Sequence, residues 1–189
     1  MDLYGLLETS LTAAQRAPTV GTLPQAIHRN RSQEWIRQLR SGFSQALAGD
    51  SSLRVFTRGD STYRTDFGLN ELLHDVLVCR VNTVPSAKQG RTLYYIEEVL
   101  WQVESEFARD SKQALIDFNK LVLGAGQNKL FIGPQVSDKP SFIEVLLPAA
   151  RACIGNVYVA LVPHPREWGT GEHQIDLWML ENGLWREVR

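Results

Sequence analysis

The sequence has few cysteines, almost no net charge and no long apolar run, and each absence excludes a class of protein. Its two cysteines, Cys79 and Cys153, lie in apolar segments without metal-ligand spacing, which predicts two free thiols. The formal net charge of −1 means that nucleic-acid or membrane binding would need a local basic patch. No apolar run approaches the roughly 20 residues that span a bilayer. The acidic start at Asp2 also differs from a secretion signal, so a cytoplasmic protein without a membrane partner is expected.

The residues that are present favour one α/β domain. With 43% hydrophobic residues, a chain of 189 residues can bury a substantial core. Apolar residues at helical spacing predict helices over residues 2–16, 32–48, 110–124 and, divided by Pro148, 141–154. Runs rich in β-branched and aromatic residues predict strands over residues 53–59, 75–81, 93–107, 128–133 and 156–164, and a final hairpin turning at Asn182-Gly183. Residues 82–91 are expected to form a loop.

The prolines near the N-terminus suggest a division of the chain. Pro18, Gly21 and Pro24 predict a linker, so residues 1–31 are expected to be an N-terminal helix and linker. Residues 32–189 then form a single domain whose first helix is capped by Ser32. The element order from this helix onward is helix, three strands, helix and strand. This order predicts a central mixed sheet flanked by helices, extended by the C-terminal hairpin.

The segment WQVESEF, residues 101–107, places two carboxylates on one face of a strand. Glu104 and Glu106 are two residues apart, so their side chains point the same way. Asp75 begins the preceding buried strand, and pairing of the two strands would bring it within a few ångströms of the glutamates. Such an oxygen-rich group suits a hard cation such as Mg²⁺ or Mn²⁺. A metal held there can activate water for hydrolysis of a phosphodiester.

With these residues in place, the sequence resembles the PD-(D/E)XK nuclease superfamily, the restriction-endonuclease-like fold. The resemblance covers about residues 32–134, with Asp75 as the first acid and Glu104 as the second. Glu106 stands where lysine is usual, giving Glu-X-Glu in place of Glu-X-Lys, and His74 stands where proline is usual before the aspartate.

The resemblance implies roles for further residues. Asp75 and Glu104 would hold the metal, with a third carboxylate from Glu34 on the first helix. Glu71 is a rival for this third position because it lies only four residues before Asp75. Glu106 would bind the metal or help to activate water. The missing lysine would be supplied by the following helix, where Lys112 and Lys120 are candidates and Lys120 is favoured.

The expected function is a Mg²⁺-dependent, endonuclease-like phosphodiesterase that acts on DNA in preference to RNA; a homodimer is permitted. One alternative keeps the fold but loses the chemistry, leaving a binding or accessory module. Another is a solvated strand end whose acids pair with Arg80, Arg109 or Lys112. The loop VPHPREWGTGEH offers a last candidate, since Trp168 could stack on a base if its side chain is exposed.

Overall fold

The computed structural model describes residues 1–19, 21, 23–68, 72–169 and 174–188. In these residues the strands form one sheet and lie side by side in chain order: β1 Leu53–Thr57, β2 Val76–Ser86, β3 Arg91–Ser105, β4 Asn128–Pro134, β5 Asn156–Val162, β6 Asp176–Glu181 and β7 Leu184–Glu187. The first three strands are antiparallel, β3 to β5 are parallel, and β5 to β7 are again antiparallel.

Helices cover both faces of this sheet. They are α1 Leu3–Arg16, α2 Pro24–Ala46, the short α3 Arg64–Phe67, α4 Ser111–Val122, α5 Lys139–Glu144 and α6 Leu147–Ala152. On one face, α1 and α2 bury Leu7, Trp35 and Phe43 in the same core as Leu130 and Ile132 of β4.

On the other face, α4 to α6 bury Phe118 and Phe142 with Phe131 of β4. The central strand β4 is therefore apolar on both sides, as is usual for a covered parallel strand. The prediction of an α/β fold with a mixed sheet flanked by helices is confirmed.

Local signals placed most elements correctly. The carboxylate of Asp110 accepts a hydrogen bond from the backbone N–H of Lys112 at 2.9 Å and caps α4. Pro148 lies in the first turn of α6, so the predicted split of this helical region is confirmed. The terminal hairpin turns at Asn182 and Gly183, whose φ angles of 52° and 75° match the expected tight turn.

The start of α2 differs from the prediction. The helix begins at Pro24, and the hydroxyl of Ser32 donates to the carbonyl of His28 within it instead of capping its end. A proline is tolerated in the first helical turn because the missing N–H would have no partner there. The expected boundary between residues 31 and 32 therefore lies inside α2, and α1 packs in the same core.

The expected loop at residues 82–91 is also wrong. β2 continues to Ser86 and pairs with β3 as far as Arg91, which leaves only residues 87–90 to turn the chain. The outer part of this hairpin is exposed on both faces, so it lacks the alternation of apolar and polar residues that marks a strand. No helix in the described residues is both long and apolar enough to cross a membrane.

Candidate active site

The start of β2, the end of β3 and helix α4 converge at one edge of the sheet. Val76 of β2 pairs with Val103 of β3, which brings Asp75 beside the last residues of β3. The backbone N–H of Ser105 donates to the carboxylate of Asp75 at 2.9 Å. This bond ties the acid that precedes β2 to the strand that carries Glu104.

Glu104 is a buried carboxylate, with only 1% of its surface exposed. Its neighbour Ser105 faces α2, where the indole N–H of Trp35 donates to the serine hydroxyl at 3.1 Å. Because strand side chains alternate, Glu104 faces α4. There the ammonium of Lys120 donates to its Oε2 at 3.0 Å, while Nδ1 of His74 lies 3.0 Å from its Oε1.

A chain of hydrogen bonds determines which nitrogen of His74 carries the proton. The backbone N–H of Gly126 donates to Oε1 of Gln102 at 2.7 Å, which fixes the orientation of this amide. The amide nitrogen of Gln102 therefore faces Nε2 of His74 as a donor. Nε2 must accept, so the proton lies on Nδ1 and is donated to Glu104.

The backbone of the segment GAG, residues 124–126, packs closely against the side-chain amide of Gln102. A Cβ at Gly124 would overlap the side-chain amide of Gln102, and one at Gly126 would lie 2.6 Å from its oxygen. Glycine is thus required at both positions by the approach of the backbone to Gln102.

The residue before His74 has an unusual backbone. Leu73 has a φ of 63°, and the N–H of His74 donates to the carbonyl of Leu72 at 2.7 Å. These features define a γ-turn of the strained kind. Such strain persists only where the surrounding structure enforces it. Here the turn directs the side chain of His74 into the interior, next to Asp75.

Asp75 is the strongly perturbed acid of the site. Burial, together with the negative charge of Glu104, raises the pKa of Asp75 to about 6. The N–H of Ser105 and the ammonium of Lys120 oppose this rise without cancelling it. A carboxyl group in this state is destabilised as an anion and gains from any further positive charge.

Glu106 lies beyond the end of β3 and shares a hydrogen bond with Asp117 of α4. Burial and this neighbour raise the pKa of Glu106. Burial also acts on Asp117, but hydrogen bonds from Lys120 and Gln113 keep its pKa below the ordinary value. Of the two carboxyls, Glu106 is therefore the weaker acid. The ammonium of Lys120, 2.8 Å from Asp117, links this pair to Glu104.

The structure brings Asp75, Glu104 and Lys120 together. Lys112 instead lies exposed in the first turn of α4. The carboxylate of Glu34 is held on its own helix, where it accepts hydrogen bonds from neighbouring side chains, those of Arg37 and Gln38. The rival Glu71 lies outside the described residues.

The arginines expected as partners of the acids pair elsewhere. Arg80 contacts Asp50 and Glu98, and Arg109 contacts Glu167. Trp168 does not meet the condition for stacking on a base, because it is only 4% exposed and its indole N–H donates to the carbonyl of Pro163 at 2.9 Å.

Three residues of the site were not predicted from the sequence, although the position of each in the chain gave a weak indication. His74 was noted only as a departure from proline, although it is adjacent to Asp75. Gln102 lies two residues before Glu104 and so shares its face of β3. Asp117 lies three residues before Lys120 on α4, which is the spacing of a helical ion pair.

Within the described ranges, no group of three or more His, Cys, Asp or Glu side chains is arranged to hold a metal ion. The site thus consists of two adjacent carboxyls, Asp75 and Glu104, with one lysine, a histidine and a second carboxyl pair around them. Comparisons of the chain with protein-family models, with curated proteins and with solved structures give no match.

Proposed function

We propose that this protein is a Mg²⁺-dependent phosphodiesterase that acts on DNA, with the ion bound by Asp75 and Glu104. The observation that carries the proposal is the position of these two carboxyls, side by side at the end of β3. The pKa of Asp75 is about 6, so near neutral pH the two groups form a closely spaced pair of negative charges.

The donor set fits Mg²⁺ or Mn²⁺. Mg²⁺ binds through one or two carboxylates and completes its shell with waters and substrate phosphate oxygens. Each oxygen of Glu104 has one hydrogen-bond partner, from His74 or Lys120, and keeps a lone pair. When bound, the ion would activate a water and neutralise charge on the phosphodiester.

Lys120 supplies a fixed positive charge beside the carboxyls. Its ammonium has three N–H donors, of which Glu104 and Asp117 take two. The Lys120 side chain is 37% exposed, so the third donor can reach a phosphate oxygen or a water. Burial opposes its charge, yet its bonds to Asp117 and Glu104 raise the pKa of Lys120, which keeps it a cation that can stabilise phosphate charge.

In this proposal Glu106 does not replace the usual lysine. It shares a hydrogen bond with Asp117, which in turn pairs with Lys120. Glu106 therefore positions the lysine that α4 supplies. The run of elements from α2 to β4 supports a restriction-endonuclease-like core, since, apart from the short α3 between β1 and β2, it contains a long helix, three strands, a helix and a parallel strand in that order.

The alternative is a binding module on the same fold. It is favoured by one observation, which is that Glu104 already has Lys120 and His74 as partners. A carboxylate neutralised in this way does not need a metal. The two functions differ in whether Mg²⁺ binds and in whether DNA is cut.

The test is cleavage of supercoiled DNA and of a matched RNA by purified protein with Mg²⁺ or Mn²⁺. We expect the DNA to be nicked and Glu104→Gln to abolish nicking. Glu98→Gln, on the same strand but with a side chain that is 37% exposed and pairs with Arg80, should remain active. Undiminished cleavage by Glu104→Gln would remove the proposed site. A wild type that neither cuts nor gains thermal stability with Mg²⁺ would support the binding module.

A further inference from the structure

A cleft of about 430 Å³ lies next to the candidate active site, and Glu106 is part of its lining. Its lining includes His28 of α2, Arg109 after β3, and His164 and Arg166 from the segment after β5. This volume is within the range of small-molecule sites, about 300–1,000 Å³. None of these four side chains takes part in the proposed chemistry.

The wall formed by residues 163–168 is held in place by polar contacts. Arg31 donates to the carbonyl of Pro165 at 2.6 Å and so joins α2 to the 3₁₀ turn Pro165–Glu167. The buried indole of Trp168 anchors the other end on Pro163. The cleft is therefore a preformed feature of the fold.

His164 offers this cleft a hydrogen-bond donor. The residue is only 8% exposed, and its ring packs 5.0 Å from that of His28 and 5.9 Å from that of Phe107, measured between centroids. Its Nδ1 accepts from the backbone N–H of Arg166 at 3.0 Å. The neutral ring therefore carries its proton on Nε2, which has no hydrogen-bond partner in the described part of the chain.

Two guanidinium groups lie close to the histidines of the cleft. Burial, together with the positive charges of Arg109 and Arg166 and the nearness of His28, lowers the pKa of His164 to about 4, and Glu167 opposes this shift without cancelling it. Burial and Arg166 likewise lower the pKa of His28.

Two acids line the cleft, but both have partners. Glu167 pairs with the guanidinium of Arg109, and Glu106 accepts a hydrogen bond from the backbone N–H of Ala108 at 2.6 Å and shares another with Asp117. The exposed guanidinium of Arg166 has no ion-pair partner among the residues described. Two guanidinium groups and an imidazole N–H are all donors, which suits a ligand that presents several acceptor oxygens.

We infer that this cleft is an oxyanion-binding site that takes a phosphate group, with Arg166, Arg109 and His164 as its donors. The phosphate comes either from a small phosphorylated ligand or from a nucleic-acid strand. The inference does not depend on the proposed metal site, because Asp75 and Glu104 contribute nothing to the cleft.

The test measures binding of inorganic phosphate, adenosine monophosphate and a single-stranded oligonucleotide by calorimetry, in metal-depleted buffer without chelator. We expect at least one of the three to bind and Arg166→Ala to weaken that binding at least tenfold. Arg186→Ala is the matched control, since it removes the same charge from a side chain that is 70% exposed on β7, and it should bind as the wild type does.

Nuclear magnetic resonance adds a local readout. Ligand binding should shift the ring signals of His164 and raise its pKa, because a bound anion favours the imidazolium. Binding of phosphate or the monophosphate would identify a small-ligand site, and binding of the oligonucleotide alone would identify a strand-binding site. The inference is overturned if none of the three binds, or if Arg166→Ala and Arg186→Ala weaken binding equally.

Discussion

Replacing Asp75 by asparagine should stabilise the protein at neutral pH. The folded structure holds this carboxyl against Glu104, and its pKa rises from the ordinary 3.8 to about 6. An asparagine oxygen can still accept the hydrogen bond from the N–H of Ser105. The substitution therefore removes the repulsive charge and keeps the contact.

The magnitude follows from the difference in pKa. Each pKa unit corresponds to about 1.4 kcal/mol, so ionised Asp75 costs the folded state up to about 3 kcal/mol. Between about pH 4 and pH 6 the folded protein keeps a proton that the unfolded chain has released. Stability therefore falls as the pH rises through this window, and the full cost is present above it.

The assay is urea unfolding followed by tryptophan fluorescence at pH 4 and pH 8, without divalent metal. Asp75→Asn should exceed the wild type by up to about 3 kcal/mol at pH 8 and match it at pH 4. Asp50→Asn is the control of opposite sign, because bonds from Ser52 and Arg80 hold the pKa of Asp50 at about 2. Its loss should destabilise the protein at pH 8.

If Asp75→Asn is no more stable than the wild type at pH 8, the two carboxyls do not repel each other in the folded protein. Relief of this repulsion would then give no reason for a cation to bind at the site. If instead Mg²⁺ stabilises the wild type but not the variant, the metal acts through Asp75.

Three further substitutions test the surroundings of the site. Gln102→Glu replaces the donor that faces Nε2 of His74, so it should lower the free energy of unfolding by about 1–3 kcal/mol. It should also change the ring ¹⁵N shifts of His74 from those of the Nδ1–H tautomer, and unchanged shifts would contradict the assigned hydrogen-bond chain. Gly124→Ala should lower the free energy of unfolding by about 1–3 kcal/mol, because the new methyl group overlaps the Gln102 amide. Gly49→Ala, whose methyl group would enter open space, should be nearly neutral, and equal effects of the two on the unfolding midpoint would exclude a steric cause. Lys120→Met should lower the free energy of unfolding by about 2–3 kcal/mol in chemical unfolding. This loss is smaller than that for breaking a fully buried ion pair, because the ammonium of Lys120 reaches solvent. An unchanged free energy would show that the buried carboxylate of Glu104 needs no cation.

The sequence predicted the elements whose ends are set by local chemistry. Asp110 caps its helix and Asn182-Gly183 turns its hairpin because these residues act on their own backbone neighbours. The start of α2 and the turn between β2 and β3 were predicted wrongly because prolines were taken to interrupt regular secondary structure. Pro24 lies in a first helical turn and Pro85 in the exposed outer part of a hairpin, where the loss of an N–H costs little.

The candidate site was predictable only in part. The proximity of Asp75 and Glu104 follows from the pairing of their strands. That pairing is predicted by the alternation of side chains along each strand and by the order of the elements. The hydrogen bond between Glu104 and His74 joins residues 30 positions apart, and its direction depends on a third side chain, Gln102. No periodicity encodes such a relation. Glu34 was assigned by resemblance alone, and its neighbour Arg37 holds it instead.

The consecutive order of the strands has a consequence for synthesis on the ribosome. Each strand of the described sheet joins an edge formed by the strand made just before it, so the sheet can grow as the nascent chain emerges. The nascent chain is most prone to aggregation while β4 is the last strand made and forms the edge of the sheet. Its Leu130, Phe131 and Ile132, fully buried in the finished fold, then await β5 and the helices after β4, and this interval is where aggregation would begin.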